Sequence, residues 1–302
     1  MRAERQPYLL LAAVIILWGA NWPIMKVGLE YIPPIWFAST RLLLGSACLF
    51  ALLAARRAVV LPDRRDFPIL LSVSLMQLGI GTALMHIGLT VVEAGRSAIL
   101  TYTTPLWVTP LAVFFLHEKI GPAKAWGLAL GLAGVFVLFN PLEFDFTDTD
   151  LLAGNGYLIG SAMAMAFVII HIRRHRMVMT PLQIMPWQTL IGGVILAMTA
   201  YFLEGVPVLD FSPSFVAILA YNGLIASGFC FWAYQTVMRE LPATSTSLGS
   251  LGIPVAGMVF SAIALGEELS FSNIAGLTLI SSGVAFLFVG DYFWNRNNNF
   301  KG

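Results

Sequence analysis

Charge is scarce in this chain. Only 11% of its 302 residues are Asp, Glu, Lys or Arg, while 58% are hydrophobic; soluble domains carry roughly 25% charged residues. So few charges cannot clothe a soluble surface of this size, which leaves an integral membrane protein. Cysteine is nearly absent too. Cys48 and Cys230 lie far apart in apolar runs, so neither a disulfide framework nor a metal site is expected. Seventeen Lys and Arg stand against 16 Asp and Glu, and this balance provides no basic field for nucleic acid. Strict apolar–polar alternation is missing, which excludes a transmembrane β-barrel. Walker A, G-x-S-x-G, H-E-x-x-H and metal-spaced His/Cys patterns are missing as well, so neither an enzyme nor an ATP-driven pump is expected, and no cofactor.

What the chain has is length of apolar sequence. A hydrocarbon crossing takes about 20 mostly apolar residues. Ten such runs follow one another: 8–28, 34–54, 67–89, 95–116, 122–139, 151–172, 181–203, 213–238, 243–265 and 272–292. The first is too long for a signal peptide and lacks a small-residue cleavage site, so it reads as a helix. With the N-terminus in the cytoplasm, 14 of the 17 cations fall in cytoplasmic segments, among them Arg56, Arg57, Arg64, Arg65, Arg173 and Arg174. Glu30, Glu93, Glu204, Glu267 and Glu268 then lie outside. The positive-inside rule thus predicts ten spans with both termini cytoplasmic.

The runs also repeat. Residues 94–139 align without a gap on residues 243–288 at an offset of 149, with 11 of 46 positions identical. Pro105/Pro254, Glu118/Glu267, Gly127/Gly276 and Gly134/Gly283 are the informative matches, and Pro34/Pro181 pair at an offset of 147. The predicted architecture is all-α: ten transmembrane helices in two five-helix halves, 1–145 and 146–302. Five is odd, so the second half enters the membrane inverted. Inverted repeats commonly serve alternating access around a site near the midplane.

Several motifs carry a family resemblance. They are Leu17-Trp18-Gly19-Ala20-Asn21-Trp22 in the first helix, Arg41 in the second, Pro105 with His117-Glu118-Lys119 in the fourth, and Leu265-Gly266-Glu267-Glu268 closing the ninth. Together with the five-plus-five plan, the chain resembles the EamA type of the drug/metabolite transporter superfamily. Among its subgroups the aromatic amino acid exporters are the most similar. The resemblance implies an exporter whose central cavity is built by helices 1, 3, 4, 6, 8 and 9.

Individual residues admit two readings each. Trp18 lies mid-span, away from the interfacial belt where Trp concentrates, so it packs or lines a cavity. Asn21 either bonds helix to helix or faces the cavity, since an unsatisfied amide in lipid costs a few kcal/mol. Gln77 and His86 on helix three, and Asn222 and Trp232 on helix eight, face the same choice; Gln235 reads as a rim residue. Helix four carries Tyr102, Pro105 and Trp107, and helix nine carries Ser250 and Pro254. The two prolines should kink their helices and act as matched hinges. Met163 and Phe167, four residues apart, are either core or apolar cavity walls. Arg41 is the clear intramembrane cation, either a lock for helix two or a functional group. No carboxylate lies mid-span to relay protons, which leaves His86 as the titrating candidate.

These observations predict a monomeric inner-membrane exporter of amino acids, including aromatic ones, working by facilitated alternating access. Its partners are the small-molecule substrate and the bilayer. A multidrug or other metabolite exporter, a proton-coupled antiporter of the same fold, and a scaffold or scramblase-like protein are the competing readings.

Overall fold

A computed structural model describes residues 2–117, 121–139, 148–175, 177–209, 211–241 and 249–298. Among these residues the chain is all helix and turn, without strands. The rods are α1 (Arg2–Gly28), α2 (Pro34–Ala55), α3 (Arg64–Val91), α4 (Ala94–Leu116), α5 (Pro122–Phe139), α6 (Thr149–Arg174) and α7 (Pro181–Leu203). Next comes α8, assembled from Pro213–Ala220, Tyr221–Phe229 and Cys230–Glu240, followed by α9 (Gly252–Leu265) and α10 (Phe271–Asn298). Seven rods have the length and apolarity to cross a membrane, namely α1 to α4 and α6 to α8; α5, α9 and α10 carry shorter apolar segments. The molecule is a multi-pass membrane protein.

Local sequence sets the ends. Pro34, Pro181 and Pro213 stand in the first turn of α2, α7 and α8, where a missing N–H costs nothing. Asp148 and Ser212 accept the first free N–H groups of α6 and α8, and Thr180 with Gln183 forms a capping box on α7. His117 ends α4 at φ 53° and Gly266 ends α9 at φ 69°, both left-handed and 149 residues apart.

Two helices leave the α geometry at matched places. Residues Val73–Gly81 of α3 and Tyr221–Phe229 of α8 are π-helical, nine residues each, 148 apart. Sustained π-helix is rare, and it concentrates at functional sites.

Packing follows the same two-fold scheme. α2 lies along α7 and α5 along α10, each helix against its own counterpart. The contact of α1 with α9 is matched by α6 with α4, and that of α2 with α8 by α7 with α3. On α5 and α10 the match reaches single residues. A Cβ on Gly134 would meet Ile280 and the Gly276 carbonyl at 2.8–2.9 Å, and one on Gly283 would meet Gly131 and the Gly127 carbonyl at 2.5–2.6 Å. At an offset of 149, Gly276 and Ile280 are the counterparts of Gly127 and Gly131. Small residues let these backbones touch.

The rods alternate in direction. At one end, Glu204 of the α7 terminus accepts the Ile35 and Trp36 N–H groups of α2 at 2.8 and 3.0 Å. Glu267, just past α9, accepts those of Ala94 and Gly95 on α4 at 2.6 and 2.8 Å. Lys26 donates there to the carbonyls of Leu89, Thr90 and Val92 at 2.6–3.0 Å. At the other end, the buried Asp66 accepts the Val178 and Met179 N–H groups ahead of α7, and His171 meets Ser72 at 2.7 Å. Arg56, Arg57, Arg64, Arg65, Arg173 and Arg174 lie at this second end.

Candidate functional site

Helix four is broken rather than kinked. The α-helix stops at Thr101, Tyr102 and Thr103 form a turn, and a new helix runs Thr104–Leu116 with Pro105 in its first turn. The expected interior kink is therefore corrected: the chain restarts its helix at the proline instead of carrying it mid-helix. Pro105 cannot donate to the Thr101 carbonyl, and the Thr104 hydroxyl donates to it at 3.0 Å instead. Thr103 likewise donates to the Leu100 carbonyl at 2.6 Å and receives the Trp107 indole N–H at 3.1 Å. On the other half a turn at Leu251 precedes the helix that carries Pro254. Leu251 is the counterpart of Tyr102 at an offset of 149, so each break falls three residues before its proline.

Between the breaks lies an aromatic cluster. Trp18 of α1, Tyr102 at the α4 break and Trp232 and Tyr234 of α8 pack together with Val14, Ala233 and Ile253. The Trp18 ring stands 5.3 Å from Tyr234 and 5.7 Å from Phe231, and its indole N–H donates to the Ala226 carbonyl at 2.9 Å. That carbonyl belongs to the π-helical run of α8. Ser250 hydrogen-bonds Tyr234. Four residues singled out from the sequence, Trp18, Tyr102, Trp232 and Ser250, thus meet in one place.

Others settle elsewhere. Asn21 and His86 are buried in a neighbouring polar group considered below. Gln77 is half-buried on the π-helical run of α3, and its carbonyl accepts the Thr82 hydroxyl at 3.2 Å. Met163 and Phe167 are 48% and 40% exposed on α6. They share a stripe with Leu152 and Gly156, while Gly154, Leu158 and Ala164 face α3 and Asn155 receives Arg96 of α4. Phe167 meets Phe115 of α4 edge-on with ring centroids 6.3 Å apart, and neither Met163 nor Phe167 joins the cluster around Trp18. At the α4 break α6 presents Met165, whose sulfur lies 3.8 Å from the Thr104 hydroxyl. Gln235, Glu118 and Lys119 have side chains outside the described residues.

Sequence reasoning passed over Tyr234, Phe231, Ser227 and Met165. A signal existed for Met165: at the offset of 147 that joins Pro34 to Pro181, it is the counterpart of Trp18. Among the described residues no His, Cys, Asp and Glu side chains gather in a set that could hold a metal.

Matched broken and π-helical rods in a multi-pass helical chain define the class of polytopic helical membrane proteins. A profile of the EamA-like transporter family matches residues 6–140 and again residues 152–289. The chain belongs to the EamA-like transporter family, and it is a transporter rather than an enzyme. It is 28% identical over 273 residues to the uncharacterized transporter YoaV of Bacillus subtilis (strain 168), covering 90% of this chain and 93% of the relative. It is 22% identical over 297 residues to a probable amino-acid metabolite efflux pump of Salmonella typhimurium (strain LT2), covering 93% and 94%. A crystal structure at 20% identity superposes with a TM-score of 0.66 over 93% of this chain and 95% of that one. That likeness concerns the fold alone.

Proposed function

We propose that this transporter exports amino acids, aromatic ones among them, by alternating access of two inverted five-helix halves, 1–145 and 146–302. The observation that carries the proposal is the aromatic cluster of Trp18, Tyr102, Trp232 and Tyr234 set between helix breaks at Tyr102–Thr103 and Leu251. A flat, polar-tipped aromatic wall suits a bulky side chain. The reciprocal helix pairing and the double family match support the two halves. All ten rods cross the bilayer in this reading, the shorter apolar ones included. The relative described as a probable amino-acid metabolite efflux pump supports the substrate.

The membrane is the inner membrane, and the arginine-rich end, with both termini, faces the cytoplasm. Efflux follows the metabolite gradient, because no mid-span carboxylate is present to couple protons.

The test is counterflow of labelled L-phenylalanine in proteoliposomes of the purified protein, with and without an imposed pH gradient. Saturable exchange that does not require the gradient is expected. A protein that exchanges no amino acid sinks the substrate assignment, and uphill accumulation driven by protons alone sinks the facilitated mechanism. Orientation is checked with a membrane-impermeant maleimide: cysteines placed at positions 57 and 174 should stay unlabelled in intact cells and react after lysis.

A further inference from the structure

Beside the aromatic cluster the structure buries polar groups whose needs the protein does not meet. Arg41 of α2 is 7% exposed. Its Nε–H donates to the Ser227 hydroxyl at 3.2 Å and a terminal N–H to the Met25 sulfur at 2.9 Å. A guanidinium carries five N–H donors, and a hydroxyl and a thioether are weak partners for it. Among the described residues no carboxylate pairs with it. A buried cation without an anion is costly, and its cost falls when a carboxylate docks on its fork.

Among the buried side-chain atoms that lack a partner are three on the helices around Arg41: Asn21 Oδ1, His86 Nε2 and Asn222 Oδ1. His86 Nδ1 lies 2.8 Å from the Thr82 carbonyl, which can only accept. The hydrogen therefore sits on Nδ1, and Nε2 presents a lone pair. All three orphans are acceptors. They are also neighbours of the Arg41 contacts. Asn21 stands one turn before Met25, Asn222 lies five residues before Ser227, and the His86 ring packs edge-on at 5.4 Å against Phe37, one turn before Arg41. In native structures unsatisfied buried groups are few, and each calls for an explanation. Buried water could answer the acceptors, but it cannot supply the anion.

An unmatched cation beside unmatched acceptors is the complement of a zwitterion. We infer that Arg41 binds the carboxylate of a free α-amino acid and that Asn21, His86 and Asn222 take up its ammonium group. The ammonium brings three N–H donors, and the carboxylate fits the planar fork bidentately. Trp18 lies one turn before Asn21, and Ala226, which receives the Trp18 indole, lies one turn after Asn222. The substrate side chain then extends from the polar group into the aromatic cluster. This inference rests on the export reading above and narrows its substrate class: the intact zwitterion, as opposed to amines or carboxylic acids alone.

The experiment combines counterflow with thermal unfolding in detergent. Labelled L-phenylalanine is the probe; unlabelled L-phenylalanine, phenethylamine, which lacks the carboxylate, and 3-phenylpropionate, which lacks the ammonium, are the competitors. In the wild type L-phenylalanine should compete at least about 10-fold better than either analogue, the equivalent of one bidentate contact. Arg41→Gln should lose that advantage, with phenethylamine competing as before. Arg41→Lys keeps the charge without the fork, protects against a folding defect, and should fall between the two. Folded Arg41→Gln or Arg41→Lys protein with the wild-type competition order overturns the Arg41 anchor and leaves amino acid export standing. If the wild type exchanges no L-phenylalanine, yet 3-phenylpropionate raises its melting temperature and not that of Arg41→Gln, the export reading falls and the carboxylate anchor stands. If neither exchange nor stabilisation occurs, both fall.

Discussion

Glu267 closes one end of the molecule, and its replacement should open it. Its two carboxylate oxygens hold the N–H groups of Ala94 and Gly95 at 2.6 and 2.8 Å, tying the end of α9 to the start of α4. Hydrogen bonds to a charged group are worth about 1.5–3 kcal/mol each, and a carboxylate at a helix N-terminus gains a further 0.3–1 kcal/mol or so. Glutamine keeps one acceptor and turns an N–H₂ toward the second donor. Water reaches this half-buried site and replaces part of the loss, which leaves about 2 kcal/mol for Glu267→Gln. Alternating access requires these bonds to break in the state open at this end, so the substitution should favour that state about 30-fold. A cysteine at Ser97 reports it, since that residue is buried three positions past Ala94 and its hydroxyl has no partner. With Cys48 and Cys230 replaced by alanine, maleimide should label Ser97→Cys about 30-fold faster in Glu267→Gln, and the melting temperature should fall. Equal labelling rates and equal melting would show that the contact is not a closure.

Three further outcomes are expected. Gly283→Ala places a Cβ 2.5 Å from the Gly131 nitrogen, which as backbone cannot yield; overpacking of this kind costs about 1–3 kcal/mol, whereas Gly156→Ala, which meets nothing within 4 Å, should melt like the wild type. Equal melting of the two variants would remove the α5–α10 contact from the stability of the fold. Burial, and then the neighbouring Glu267, hold the Glu93 carboxyl above the usual carboxylate range. A raised acid contributes stability that is complete below its ordinary range and lost as pH rises through the raised value. Glu93→Gln should therefore melt higher than the wild type at pH 7 and equally at pH 4; a difference that is constant with pH would contradict this. Pro105→Ala and Pro254→Ala should leave the melting temperature nearly unchanged, because both prolines stand in first turns, yet lower the counterflow rate by allowing helix to grow across the breaks. Unchanged rates in both would remove the breaks from the transport cycle.

Much of this architecture was legible because the bilayer imposes it. A run such as 34–54 has no alternative to a helix in hydrocarbon, and the structure gives Pro34–Ala55. The matched prolines located the two helix breaks, though as kinks, since nothing in a Thr-Thr-Pro sequence says that the hydroxyls will replace the lost backbone bond. The π-helical runs were invisible, because Val73–Gly81 and Tyr221–Phe229 share no pattern that propensity could detect. Four residues picked out for polar or aromatic character at mid-span, Trp18, Tyr102, Trp232 and Ser250, lie together in the structure. The orientation of Met163 and Phe167 could not be read, because a helix apolar all round has no moment to orient it. Only the small residues Gly154 and Ala164, which admit α3, reveal how α6 is turned.

The glycines shared by α5 and α10 have a consequence for how such a chain can change. Gly134 meets the counterparts of the residues that meet Gly283, which is the defining relation of an isologous contact between two identical subunits. Here both subunits belong to one polypeptide. A substitution at most positions touches one half alone, but a substitution at Gly134 or Gly283 falls on a backbone contact that both halves share. The two positions that need this contact are both glycine, whereas at the cluster tryptophan at position 18 stands opposite methionine at position 165.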